Sequence, residues 1–338
     1  MTTFKRLGEG DAGSASAISA VDLGAFTLTA VRNGSGNLEL INWRTGPTIT
    51  RQSDSGNQAG AISEIATTRV RNLTITAVRN GSGALELISW DDGGGQGRIT
   101  RRADSDNQAG AANLIAVKPL PSATGVITAL RNGSGDLMLI TWAVDLNGKF
   151  TRISDSSAGE VSAVALSVIG NIAVTAVRNG SGNLELITWA IGSDGRGITR
   201  MADSGSQAGA ISEVAVADTV TAVRNGSGNL ELIAWNISAD GKTIKRLGDI
   251  EAGAATWVAL SRFSATRFVT AIRAGNGALK LIAYDVAASG AFTRTGDSGD
   301  QAGAVSEVSL VTPPSNTPTT AVRNGSGNLE LISWSMRG

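Results

Sequence analysis

The side chains best suited to chemistry in this chain come in repeated sets. An arginine recurs as Arg32, Arg79, Arg131, Arg178, Arg224, Arg273 and Arg323, and in six of these seven places it opens Arg-Asn-Gly-Ser-Gly. A second segment, Asp-Ser-(Gly or Asp)-x-Gln-Ala-Gly, begins at Asp54, Asp104, Asp203 and Asp297. Together they place a guanidinium near amides, hydroxyls and a carboxylate, a set of directional donors and acceptors. Polyols call for that chemistry, because each sugar hydroxyl both donates and accepts. The candidate ligand-binding residues are therefore Arg32, Asn33, Ser35, Asp54, Asn57 and Gln58 in the first repeat. Their counterparts are Arg79, Asn80, Asp104, Asn107 and Gln108; Arg131 and Asn132; Arg178, Asn179, Asp203 and Gln207; Arg224 and Asn225; Asp297, Gln301, Arg323 and Asn324.

Other chemistries are removed by composition. The 338 residues include no His and no Cys. That takes away the commonest general base, Ser-His-Asp arrangements, thiolate nucleophiles and disulfides. Catalysis by carboxylates alone survives, but the acids are mostly repeated, whereas a hydrolase needs one asymmetric pair. Asp104-Ser-Asp-Asn107 alternates oxygens like a calcium loop, yet lacks the Gly and Glu that an EF-hand places further on. No glycine-rich phosphate loop leads into a helix, so no cofactor is expected. The 29 basic and 29 acidic residues cancel and form no basic block, which argues against nucleic acid and anionic membrane surfaces. No apolar run reaches the length of a membrane span. Met1-Thr-Thr-Phe-Lys-Arg6 lacks the apolar core of a signal peptide, although the mature form of an exported protein reads the same way.

The elements that must position these residues follow from the repeat. The arginines are spaced by 47, 52, 47, 46, 49 and 50 residues. Thr-Ala-Val-Arg and Leu-Glu-Leu-Ile-x-Trp flank Asn-Gly-Ser-Gly, which predicts a hairpin with positive φ at Asn-Gly. A second arginine, at 6, 51, 101, 152, 200, 246 and 294, is followed three residues later by Glu9, Asp54, Asp104, Asp155, Asp203, Asp249 or Asp297. One period thus reads as four strands: a (as in Ala61-Ile-Ser-Glu-Ile-Ala66), b (Thr-Ala-Val-Arg), c (Leu-Glu-Leu-Ile-x-Trp) and d (Ile-Thr-Arg-x-x-Asp). The chain opens on a lone d strand and closes on a, b and c. The expected fold is all-β: one domain over 1–338, a seven-bladed β-propeller with four antiparallel strands per blade. The N-terminal strand would pair with the C-terminal blade and close the ring; an open solenoid gives no reason for that split.

Antiparallel order puts the b–c turn and the d–a loop on one face, where the sequence is uniform. The a–b and c–d loops on the other face vary freely. The d–a loop is two residues shorter after Glu9, Asp155 and Asp249. Two readings of the uniform face stand: it holds demanding turns, or it carries a repeated ligand site. On the first, the b-strand Arg bonds turn carbonyls or the d–a carboxylate. Trp43, Trp90, Trp142, Trp189, Trp235 and Trp334, with Tyr284 in the sixth repeat, are read as packing anchors rather than sugar platforms. Trp257 falls outside the repeat, in strand a of the sixth unit. Asn-Gly-Ser is also a glycosylation sequon, but the turn already accounts for it.

With near-identical blades, Gly-rich b–c turns and one Trp per blade, the whole chain resembles the seven-bladed β-propeller lectins of the Psathyrella velutina lectin-like type and their bacterial relatives. The resemblance rests on architecture and carries over no individual binding residue. It implies repeated carbohydrate sites between neighbouring blades, for terminal fucose, N-acetylglucosamine or sialic acid. The leading expectation is a multivalent, non-enzymatic glycan-binding protein, its repetition supplying avidity. Up to four full sites are expected where the d–a loop is long and three altered ones where it is short, with the sixth repeat (Arg273-Ala-Gly-Asn-Gly277) weakest. The alternative is a protein-interaction scaffold using one unique patch at the channel mouth or the variable face.

Overall fold

The computed structural model describes residues 3–106, 108–299, 301–313 and 317–337. It is all-β, and its one helical element among these residues is a 3-10 turn at Gly93–Gly95. The second unit shows the repeat in its simplest form: a (Ile62–Val70), b (Leu73–Asn80), c (Leu85–Asp91) and d (Thr100–Asp104), an antiparallel sheet in chain order. The other units follow the same order.

The shorter d–a connections are not loops. Thr3–Asp22, Phe150–Ile169 and Ile244–Arg262 are continuous strands, each serving as d of one unit and then a of the next. Two residues fewer leave no slack for a turn, so the chain stays extended and keeps pairing. This joins units in pairs and yields three seven-stranded sheets beside the four-stranded sheet of unit 2. The expected pairing of the chain ends is present: Thr3–Asp22 runs antiparallel to Asn328–Arg337, from Thr3 opposite Arg337 to Ser14 opposite Asn328.

Strand a of each unit lies against strand a of the next, and that of unit 7 (Val305–Val311) lies against Thr3–Asp22. Most buried apolar side chains of the described residues fall into seven clusters, each drawing mainly on two neighbouring units. Strand c of unit 1 (Leu38–Arg44) shows how. Leu38 and Leu40 pack with Val78 and Trp90 of unit 2, while Ile41 and Trp43 pack with Leu329 and Leu331 of unit 7. Successive side chains of a strand point to opposite faces, and here both faces are covered. Burying an apolar side chain contributes about 1.5–3 kcal/mol, so these interfaces are the main cohesive element.

The tryptophans are anchors inside those interfaces. Each of the six is at most 2% exposed. Each indole Nε1 donates to a threonine hydroxyl on the adjoining b strand, as Trp43 does to Thr29 at 2.8 Å and Trp90 to Thr76 at 3.0 Å. A buried indole N–H without a partner would cost about 1–3 kcal/mol, which explains Thr at the head of Thr-Ala-Val-Arg.

Candidate functional site

The b–c turn differs from the tight turn read from Asn-Gly. The residue with left-handed backbone is the second glycine, Gly36, at φ 83°, and the same position has φ 82–94° in every unit. Gly36 N donates to Asn33 O at 2.8 Å. The Asn33 side-chain oxygen accepts from Ser35 N at 3.0 Å and Asn37 N at 3.1 Å. Asn33 is thus the turn's internal brace. Its amide nitrogen donates to Glu39 at 3.2 Å. Gly36 is required twice over, because a Cβ there would also lie 3.1 Å from the Arg32 guanidinium.

Arg32 does not pair with the d–a carboxylate. It reaches the next unit, donating Nε to Ile62 O at 2.8 Å and Nη1 to Ser16 Oγ of its own strand a at 3.4 Å. Arg178, Arg224, Arg273 and Arg323 make the same two bonds, to the next unit's strand-a carbonyl and to Ser162, Ser212, Thr256 or Ser306. Arg79 bonds Ser63 but leaves a buried Nε without a partner, and Arg131 turns back to Gly135 O at 3.4 Å. The turn is stitched to the same place, since Ile62 N donates to Gly36 O at 3.0 Å.

The glutamines are struts as well. Gln58 donates Nε2 to Ser55 O and Ile99 O, while its Oε1 accepts from Arg101 N at 2.8 Å. Gln207 and Gln301 repeat this toward the d strands of units 5 and 7, and Gln108 Oε1 accepts from Arg152 N. Asn57 and Ser35 are exposed, and Asn107 lies outside the described residues.

What stays open to solvent on this face is a cluster that the residue types alone did not single out. The d-strand Arg bridges two carboxylates, one from strand c and one three residues on. Arg51 bonds Glu39 and Asp54, each at 2.9 Å; Arg101 bonds Glu86 at 3.1 Å and Asp104 at 2.6 Å. Arg200 meets Glu185 and Asp203, Arg246 meets Glu231 and Asp249, and Arg6 meets Glu330 and Glu9. In units 3 and 6 the strand-c acid is replaced by Met138 and Lys280. The d-strand Arg and the acid three residues on were visible as a spacing. The strand-c Glu joins them only once strands c and d are paired.

Two cavities open on this face at equivalent places. One, of about 320 Å³, lies in unit 4 among Glu160, Asn179, Ser181, Glu185 and Arg200. The other, of about 240 Å³, lies in unit 6 among Ala254, Ala274, Asn276, Lys280 and Arg294. Both units are entered by a continuous d–a strand, so the space beside the turn is not filled by a Gln-bearing loop. The long loops, expected to mark full sites, occupy their own surroundings with Gln.

No protein-family model and no curated protein matches the chain. The site is therefore read from its own chemistry.

A second, unrepeated feature lies at the third residue of strand a. Along the seven units this position reads Ala17, Glu64, Leu114, Ala163, Glu213, Trp257 and Glu307. Burial raises the carboxyls of Glu64, Glu213 and Glu307 above the ordinary range. Glu307 accepts from Ile18 N at 3.2 Å, and the nearby Leu114 and Ile115 amides offset part of the rise at Glu64.

Proposed function

We propose that the seven four-strand units are the blades of one β-propeller, and that the protein is a multivalent carbohydrate-binding protein. The propeller reading is supported by the strand-a contacts that return from unit 7 to unit 1, by cores shared between neighbouring units and by the pairing of the two chain ends. An open array would leave those ends as free edges.

The observation that carries the functional reading is the unit 4 cavity. It has the volume for a monosaccharide, and its rim holds Asn179, Ser181, Glu185 and Arg200. Glu185 and Arg200, 3.4 Å apart, are both still partly exposed and offer an acceptor and a donor to adjacent hydroxyls. Unit 1, also entered by a continuous d–a strand, carries the same set in Glu39, Arg51, Asn33 and Ser35, which supplies the repetition that avidity uses. The binding set thus shifts from the b-strand Arg and the loop Gln, whose donors serve the fold, to the strand-c Glu and strand-d Arg.

The test is a glycan array with the purified protein, with free monosaccharide as competitor, and with Glu185→Gln and Arg200→Ala alongside. Binding to one terminal sugar, displaced by free sugar and weakened in both variants, is the expected result. A blank array with folded protein would overturn it. That outcome favours a scaffold acting through the opposite face, where a cavity of about 640 Å³ brings together Arg69, Arg71, Lys118, Asp218 and Arg262 from four units.

A further inference from the structure

Strands a of units 1, 2, 3, 4, 6 and 7 together line a cavity of about 620 Å³. We infer that this cavity is a single binding site for a small organic cation with an apolar body, distinct from the repeated sites.

The volume lies within the range of small-molecule sites, and the wall has their usual character, apolar with a few convergent polar groups. Ile18, Leu114 and Trp257 supply apolar surface, and Glu64 and Glu307 supply charge. Trp257 Nε1 donates to Val308 O at 2.9 Å, which holds the ring in place. A fixed indole beside carboxylates suits a cation with a hydrophobic body, through the ring quadrupole as well as through packing.

The charge balance selects the sign. Glu307 is held by Ile18 N of the following unit, and both Glu64 and Glu307 are half-buried in the wall. The wall sets these two carboxylates against one guanidinium, that of Arg32, which is held by its bonds to Ile62 O and Ser16 Oγ. Arg79 and Arg323 act on Glu64 and Glu307 from strand b and keep their charge, but neither lines the cavity. Burial strips part of the hydration from both carboxylates, and a bound ammonium would place a full positive charge beside them.

Symmetry is broken at this position. Strand b and the b–c turn are close copies from unit to unit, yet the third residue of strand a ranges from Ala to Trp. A ligand lying on the axis meets each unit once and has no use for seven equal walls.

The experiment uses the full chain and three matched probes: phenethylammonium, 2-phenylethanol and 3-phenylpropanoate. Binding is followed by calorimetry and by tryptophan emission. The other six tryptophans are at most 2% exposed, so Trp257 is the natural reporter. Phenethylammonium should saturate one site per chain, at least about tenfold tighter than the alcohol, a difference of about 1.4 kcal/mol. The carboxylate should not bind. Glu64→Gln with Glu307→Gln should abolish the preference for the cation, and Trp257→Phe should remove the emission change and weaken binding in calorimetry. Free monosaccharide should not compete. Equal binding of amine and alcohol, tighter binding of the carboxylate, or no saturation by any of the three would overturn the inference.

Discussion

Arg323 donates its Nε to the backbone oxygen of Ala15 at 2.9 Å, joining residues 308 positions apart. The same bond links unit to unit elsewhere, from Arg32 to Ile62 and from Arg224 to Ala255. At Arg323 it joins the last unit to the first. A charged donor on a half-buried carbonyl is worth about 1.5–3 kcal/mol. Arg323→Ala should lower the free energy of unfolding by that amount, measured by denaturant titration, and Arg323→Lys should recover little, because a lysine lacks the fork that serves Ala15 and Ser306 together. Unchanged stability in Arg323→Ala would remove the junction role of the repeated arginine.

The Trp–Thr pair gives a second expectation. Thr29→Val keeps the shape of the side chain but leaves the Trp43 indole N–H buried and unpaired. It should destabilise by about 1–3 kcal/mol. In a Trp43→Phe background the same Thr29 change should cost less. A double-mutant cycle measures the difference, and strictly additive effects would show that the bond carries no weight.

Tyr284 stands where the other units have Trp, and its hydroxyl has no partner although the side chain is fully buried. Its ring meets Phe292 edge-on at 6.5 Å. Tyr284→Phe should therefore stabilise, by about 1 kcal/mol. Burial pushes the Tyr284 hydroxyl up to about 12. An unfolded tyrosine ionises near pH 10, so between about pH 10 and 12 the folded state holds a proton that the unfolded state has lost. Stability is complete below this window and falls through it by about 1.4 kcal/mol per pH unit. Tyr284→Phe should lack that component. Tyr284 is the one tyrosine of the chain, so ultraviolet absorbance reports its ionisation directly. Ionisation near pH 10 would contradict the buried placement.

Glu213 tests the strand-a carboxylates without touching the cation cavity's wall. Its carboxyl is raised by burial, with Arg224 opposing in part. A raised carboxyl favours the folded state while protonated, so this contribution is present below the unfolded pKa and is lost as pH rises through the folded value. At neutral pH Glu213→Gln should raise the denaturation midpoint, and the gain should shrink toward acid. A lowered midpoint at neutral pH would mean that the charge is satisfied by a partner.

Much of this architecture could be read from the sequence because period and alternation are local properties. The Arg spacing near 48, the two apolar strands around Asn-Gly-Ser-Gly, and the lone first d strand set the four-strand unit and the pairing of the ends. Trp43 could be read as an anchor because a large aromatic on a strand covered on both faces has no route to solvent. The site is different, since the use of a donor depends on what folding places opposite it. Arg32, Asn33 and Gln58 look like ligand groups when free, but Ser35 N of its own turn occupies Asn33, and Ile62 O and Ile99 O occupy Arg32 and Gln58 once neighbouring units meet. Glu185 and Arg200 lie 15 residues apart in the chain and become neighbours only through the pairing of strands c and d. The absence of two residues from three d–a connections looks like lost binding groups in one dimension. In three dimensions it makes the strand continuous, keeps Gln out and leaves space beside the unit 4 and unit 6 turns. Sequence determined the repeat and its strands, because those follow from side-chain polarity along one chain. Tertiary structure decided which polar groups remain free, because that depends on hydrogen-bond partners from other units.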